Sequence, residues 1–341
     1  MLAGGTRCVV TGGAGFIGSH VAARLAAHGC RVLIVDDLST GDESNLAGLE
    51  GQVEFLRGDL CEPEVCRQAV VGAEVVFHLA AIPSVPRSLA DPWASHNANV
   101  NATVRLLEAS RKAGVRRIVY SSSSSVYGDC AVLPKVESAE PLPRSPYAVS
   151  KLAGEQYVLA YARAGLIEGV ALRYFNVFGP RQSPHSAYAA VIPAFLMAAA
   201  DGGRPILFGD GSQTRDFTFV DNVVEANMLA ASRPREAANG WVVNVGAGVQ
   251  TSLLALVDAI GRITGRRLQP QHHAPRAGDV QDSLASLDRA AQVLHYRPVV
   301  GLEEGLRQTW TWFTESGTRT QASTNVRHGA EPVAARSAGG S

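Results

Sequence analysis

Short apolar runs and stretches of helical spacing alternate through the first two-thirds of the chain. Cys8-Val-Val10 reads as a buried strand, and Ile17, Val21 and Leu25 then recur as one face of a helix does. Val32–Val35, Val53–Leu56, Glu74–Leu79 and Arg117–Tyr120 give four further strands. A helical segment from about Asp91 to Ala113 sets Val100, Val104 and Leu107 on one face, with Asn99 near its start. Another helix begins after Ser145, and Gly169–Arg173 and Val242–Val245 are later strands. Strands alternating with helices predict a parallel, doubly wound α/β sheet, which collects ligands at the carboxyl edge of its strands. His78 lies inside an apolar strand and fits a hydrogen-bonded core histidine. From Thr251 onward helical spacing dominates, and Leu302–Phe313 forms a closing helix. Residues 317–341 are small and polar without periodicity, a composition that predicts disorder.

The bulk numbers remove several functions. With 341 residues the chain can form one large domain or two modest ones. Its 31 basic and 31 acidic side chains cancel, which leaves no electrostatic footprint for nucleic acid or an anionic membrane. Cys8, Cys30, Cys61, Cys66 and Cys130 are odd in number and lack paired metal spacing. They are expected to be free, buried or half-buried thiols in a reducing compartment, with no metal site. No apolar run approaches the ~20 residues that span a bilayer, and the chain moves directly into a strand pattern. A cytoplasmic location is the expectation.

Two stretches carry chemistry. Thr11-Gly-Gly-Ala-Gly-Phe-Ile-Gly18 follows the first strand and opens the first helix. Gly12 permits a tight turn, Gly15 admits a pyrophosphate close to backbone N–H groups, and Gly18 allows tight helix–strand packing. The helix N-terminus, with Phe16 and Ile17 in its first turn, adds partial positive charge. The second strand ends on Asp36, placed to bind the ribose hydroxyls of NAD and to repel the extra phosphate of NADP. Asp37-Leu-Ser-Thr-Gly41 is a turn able to close over the adenosine, through Asp37, Ser39, Thr40 and Gly41. Asp59 and Leu60 lie where an adenine edge would be met. Leu79, Ala80 and Ala81 offer small side chains beside which a cofactor can lie.

The second stretch is Ser145-Pro-Tyr-Ala-Val-Ser-Lys151. Ser145 is a good helix N-cap and Pro146 suits the first helical position. Tyr147 and Lys151, four residues apart, then share one helix face. An ammonium beside a phenol stabilises the phenolate and lowers its pKa from about 10, which makes a tyrosine usable as a general base.

Together the glycine turn, the run Ser121–Ser125 before Val126-Tyr-Gly128, and Tyr147-x-x-x-Lys151 resemble the extended short-chain dehydrogenase/reductase superfamily. Within it the chain is most similar to NAD-dependent nucleotide-sugar 4-epimerases of the UDP-glucose/UDP-N-acetylglucosamine type, from about Arg7 to Phe313. The resemblance implies a Rossmann-type domain over residues 1–176 and about 217–246. It implies a smaller α/β substrate domain over about 177–216 and 247–316.

The same resemblance assigns roles. Ser123, Tyr147 and Lys151 would be catalytic, with Asn99 and Tyr174 joining the NAD site. Tyr147 would take the proton of the sugar 4-hydroxyl through Ser123 while the C4 hydride passes to NAD. The 4-keto sugar would then turn over and recover the hydride on its other face. Sugar 4,6-dehydratases carry an acidic pair at the positions of Ser124 and Ser125, and UDP-glucuronate decarboxylases a glutamate at the second, so the two serines point to epimerisation. Substrate contacts are implied for Ser84, Ser124, Ser125, Asn176, Ala190, Val191 and Phe208. Arg215 and Arg276 would grip the diphosphate, and Asp279 the uridine ribose. Ser283 matches a pocket wall where a tyrosine excludes a 2-acetamido group; serine leaves room for UDP-GlcNAc and UDP-GalNAc beside UDP-Glc and UDP-Gal. UDP-glucuronate 4-epimerisation is one alternative, with Arg87 the candidate partner of its carboxylate, and a non-catalytic NAD-sensing module is the alternative from another class. Family analogy adds a homodimer.

Overall fold

The computed structural model describes residues 2–183, 190–275 and 280–315. Seven parallel strands form its centre. In chain order they are β1 (Arg7–Thr11), β2 (Arg31–Asp36), β3 (Val53–Arg57), β4 (Val75–His78), β5 (Arg117–Ser123), β6 (Glu168–Tyr174) and the edge strand Trp241–Val245. Across the sheet the order is Trp241–Val245, β6, β5, β4, β1, β2, β3. The order reverses between β1 and β4, and that is where the carboxyl edge of such a sheet opens a crevice. The inner strands carry unbroken apolar runs because helices cover both faces. Every residue of β4 is buried, as are Cys8–Thr11 of β1.

The helices that frame the crevice follow from local signals. α1 (Phe16–Ala27) starts at Gly15 with no side-chain cap, so its first N–H groups stay available. α2 spans Pro63–Ala69, and α3 (Val85–Ala90) is capped by Ser84. α4 (Pro92–His96), capped by Asp91, runs through a π-helical turn at Asn97–Asn101 into α5 (Ala102–Lys112). The stretch expected as one long helix is therefore helical throughout, with one wider turn. α6 (Pro146–Arg163) begins as its sequence requires: the Ser145 hydroxyl accepts a hydrogen bond from the Ala148 N–H, and Pro146 opens the helix.

Beyond the sheet, α7 (Val191–Asp201), α8 (Val220–Ser232), α9 (Arg235–Ala238), α10 (Leu253–Thr264) and α11 (Leu302–Glu315) complete the chain. Short strands Ile206–Phe208 and Gln271–His273 pair in parallel, while Thr214–Arg215 pairs antiparallel with Thr251–Ser252. One apolar cluster continues from Val21 and Leu25 of α1, through Val223 of α8, to Phe195 of α7 and Leu256 of α10. That continuity fixes the smaller portion against the sheet and leaves a cleft between them at the carboxyl edge. His78 is buried between Thr11 Oγ1 at 2.7 Å and Thr103 Oγ1 at 2.9 Å, and burial pushes its pKa down to about 3. It is a satisfied core residue. Four cysteines are buried and Cys61 half-buried, all free.

Candidate active site

A cleft of about 1210 Å³ runs along the carboxyl edge, from the glycine turn at one end to Arg215 and Ser283 at the other. The turn behaves as its residues dictate. Gly12 has φ +67°, and a Cβ there would meet the Ala80 backbone nitrogen at 2.7 Å. A Cβ on Gly18 would lie 2.1 Å from the Gly12 carbonyl oxygen, so α1 can approach β1 only with glycine at that position. Gly12, Gly15, Phe16, Ile17 and Gly18 all line the cleft. The bare N-terminus of α1 and this close backbone fit a pyrophosphate.

Asp36 stands beside it. Its carboxylate accepts the N–H groups of Ala14 at 3.0 Å and Leu38 at 2.9 Å. Burial pushes its pKa up, and those two N–H groups oppose the shift. Held this way, the carboxylate keeps lone pairs for a diol and disfavours a further phosphate. Asp37, Ser39, Thr40, Asp59, Leu60, Leu79, Ala80, Ala81 and Tyr174 also line the cleft. The residues present therefore fit a dinucleotide with an unphosphorylated ribose.

Midway along, the end of β5 meets the start of α6. Ser123 caps a tight 3-10 turn at Ser124–Tyr127, and its oxygen accepts the Ser125 N–H at 3.2 Å and the Ser125 hydroxyl at 2.9 Å. With two donors on its oxygen, Ser123 has its own proton left to give. Tyr147 is half-buried in the cleft wall; desolvation pushes its phenol pKa up, and the Ser123 side chain pulls it down. Lys151 is buried, its Nζ 4.8 Å from the centre of the Tyr120 ring, and burial lowers its pKa to about 7. The four-residue spacing brings both side chains to one cleft. The lowered phenol pKa expected from that spacing is not what the polypeptide alone delivers, because enclosure penalises the phenolate and the ammonium alike.

Most of the other expected positions converge here: Ser124, Ser125, Asn176, Ala190, Arg215 and Ser283 line the same cleft. Asn176 holds φ +26°, an uncommon conformation of the kind that concentrates at functional sites. Five expected contacts lie outside the wall. Asn99 is buried behind it, accepting the Ile82 N–H at 2.8 Å and donating to Ser150 Oγ at 2.9 Å. It thereby ties the loop after β4 to α6 and acts as a brace. Ser84 spends its hydroxyl on capping α3. Gly41 packs against the Asp36 carboxylate, Val191 opens α7, and Phe208 turns towards His273. Arg276 and Asp279 lie outside the described residues, as do Ala187–Ala189 and the 317–341 tail.

Sequence reasoning missed Tyr127, Lys135, Arg144 and Gln182, which also line the cleft. It also missed Glu155 and Arg173 beneath it. A signal for Glu155 was present: an acid four residues after Lys151 lies on the buried face of α6. Arg87, the expected partner of a sugar carboxylate, does not reach the wall; Lys135 and Arg144 do.

Residues 8–246 match the model of the NAD dependent epimerase/dehydratase family. The chain is 42% identical over 311 residues to a UDP-glucose 4-epimerase of Mycolicibacterium smegmatis, covering 90% of this chain and 98% of that protein. A solved UDP-N-acetylglucosamine 4-epimerase of Methanobrevibacter ruminantium, in complex with UDP-N-acetylmuramic acid, superposes with a TM-score of 0.87 at 35% identity. That match covers 92% of this chain and all of the other. A UDP-glucuronic acid 4-epimerase of Bacillus cereus, in complex with UDP-glucuronic acid and NAD, gives a TM-score of 0.85 at 30% identity, covering 91% of this chain and all of that one. The chain belongs to the NAD-dependent epimerase/dehydratase family. It is an NAD-dependent isomerase of carbohydrate chemistry, and the glycine turn with Asp36 fits such a cofactor.

Proposed function

We propose that this enzyme inverts C4 of UDP-hexoses through a 4-keto sugar, accepting UDP-GlcNAc/UDP-GalNAc as well as UDP-Glc/UDP-Gal. The observation that carries the proposal is the meeting of Ser123 and Tyr147 in one cleft with Lys151, next to serines at positions 124 and 125. An elimination or a decarboxylation needs an acid there, and a serine hydroxyl does not ionise in the working pH range.

The chain's own groups supply binding and proton transfer. Bound NAD supplies the group that takes up and returns the C4 hydrogen as hydride. Ser123 donates a hydrogen bond towards the 4-oxygen and relays its proton to Tyr147, which gives it back once the sugar has turned. Lys151, whose pKa burial lowers, adds positive charge when protonated and favours the phenolate. Arg215, with Arg276 and Asp279 as further proposed contacts, anchors the UDP end. Remote binding energy then holds the substrate without locking the reacting ring. Residues of the smaller portion, about 177–216 and 247–316, serve as the substrate domain.

Small Ser283 in the cleft wall supports acceptance of a 2-acetamido group. A second substrate, a UDP-hexuronic acid, is supported by the likeness to the solved UDP-glucuronic acid 4-epimerase; of the two cations in the wall, Lys135 donates to the Cys130 carbonyl and Arg144 pairs with Asp129. Exposed apolar side chains on α4 and α6 support a homodimer. Purified protein incubated with UDP-GlcNAc and no added NAD should yield UDP-GalNAc, resolved by chromatography. No conversion of any UDP-hexose or UDP-hexuronic acid by protein that carries NAD would sink the proposal. In Ser283→Tyr, turnover of the N-acetylated pair should vanish while that of UDP-Gal persists; equal losses would reject the wall assignment.

A further inference from the structure

Beneath the cleft lies a charged cluster that the proton and hydride chemistry does not use. Glu155 is fully buried on α6, four residues after Lys151 and eight after Tyr147. Arg173 on β6, 2% exposed, grips it with two parallel hydrogen bonds, Nε to Oε2 at 3.0 Å and Nη2 to Oε1 at 2.7 Å. The same carboxylate accepts the Ser122 hydroxyl at 2.7 Å. Ser122 directly precedes Ser123 on β5 and stands opposite Arg173 in the sheet, as Ser123 stands opposite Tyr174.

The cluster extends one step further. The guanidinium carbon lies 4.7 Å from the centre of the Tyr127 ring. Arg173 Nη1 has no oxygen acceptor, and the ring is the polarisable face it meets. The Tyr127 hydroxyl donates to Asn244 Oδ1 at 2.6 Å, on the edge strand. One buried carboxylate thus joins the helix that carries Tyr147 and Lys151, the strand that ends in Ser123, and the strand that leads to Tyr174 and Asn176.

Stability alone does not account for it. Two ions lose hydration on burial, and a well-packed apolar pair of similar volume is often as stable or more so. A bidentate ion pair does something that apolar packing does not: it fixes two backbones at a set separation and angle. Proton transfer between Ser123 and Tyr147 depends on that separation, because those residues come from different elements.

We propose that Glu155, with Arg173 and Ser122, is a positioning device that holds the Ser123 hydroxyl in register with the Tyr147 phenol. The inference rests on the epimerase reading, which turnover of a UDP-hexose by the unaltered enzyme tests first and separately. Ser122→Ala cuts the link between the carboxylate and the serine strand and leaves the ion pair whole. Its kcat should fall about tenfold, with KM, UDP affinity by calorimetry and melting temperature unchanged. Glu155→Leu/Arg173→Met replaces both ions with apolar side chains. It should melt near the temperature of the unaltered enzyme and bind UDP normally, yet lose kcat about 100-fold, the cost of an ångström-scale misplacement. Unaltered kcat in Ser122→Ala would overturn the proposal, as would a folded double variant that turns over normally. Should the double variant fail to fold, Ser122→Ala decides alone.

Discussion

Tyr147 and Lys151 show how far a residue's role depends on enclosure. Tyr147 is half-buried and Lys151 buried, and loss of solvent moves them in opposite directions: the phenol upward, the ammonium down to about 7. Tyr147→Phe removes the proposed acceptor of the sugar 4-hydroxyl proton and leaves the rest of the cleft wall intact. Its kcat should drop by roughly 10²- to 10⁴-fold, while NAD content and UDP affinity stay the same; undiminished turnover would reject the role. Lys151 makes a prediction about stability. An unfolded lysine keeps its proton up to 10.5, whereas the folded one gives it up near 7. Between those limits the unfolded chain binds more protons, so stability rises with pH through that window, by about 1.4 kcal/mol per unit. The rise is absent in Lys151→Met, which should be the more stable protein at pH 7 and inactive. Unfolding free energies at pH 7 and pH 9 for both proteins give the comparison, and equal slopes would contradict it.

At the scale of elements, the junction of β1 with α1 is the most constrained. The Gly18 position faces a backbone carbonyl, which cannot yield as a flexible side chain would. Gly18→Ala should cost about 3 kcal/mol or more, towards the upper end for overpacked sites. It should also release bound NAD, read as lost nucleotide absorbance in the purified protein; wild-type cofactor content and melting temperature would show that the helix can shift. This junction was legible in the sequence because each glycine answers to a local steric demand. The α6 N-terminus was legible for the same reason, since Ser145 and Pro146 act within one turn. Asn99 was not. Its proximity in sequence to a helix start said nothing of Ile82 and Ser150, the groups its amide meets. Glu155 was likewise invisible as a partner of Arg173 and Ser122, because its contacts cross between helix and strands.

At the scale of the molecule, α4 and α6 pack against each other and leave Trp93, Val149 and Tyr157 between 43% and 73% exposed. Large apolar side chains on adjoining helices suit a second copy of the chain. Light scattering should give the mass of two chains, and Trp93→Glu/Val149→Glu should give one with its fold retained. A wild-type protein that stays single at micromolar concentration would refute this. The hydrophobic periodicity determined the sheet and its helices, and the glycine turn, Asp36 and the Tyr–Lys spacing marked residues that line one cleft. All of these act over a few residues, where sterics and backbone periodicity suffice. Tertiary structure alone decided which side chains reach the cleft, that enclosure opposes the phenolate, and that one buried carboxylate ties three elements together. Those outcomes depend on groups far apart in the chain, whose meeting and desolvation exist only once the sheet has closed against its helices.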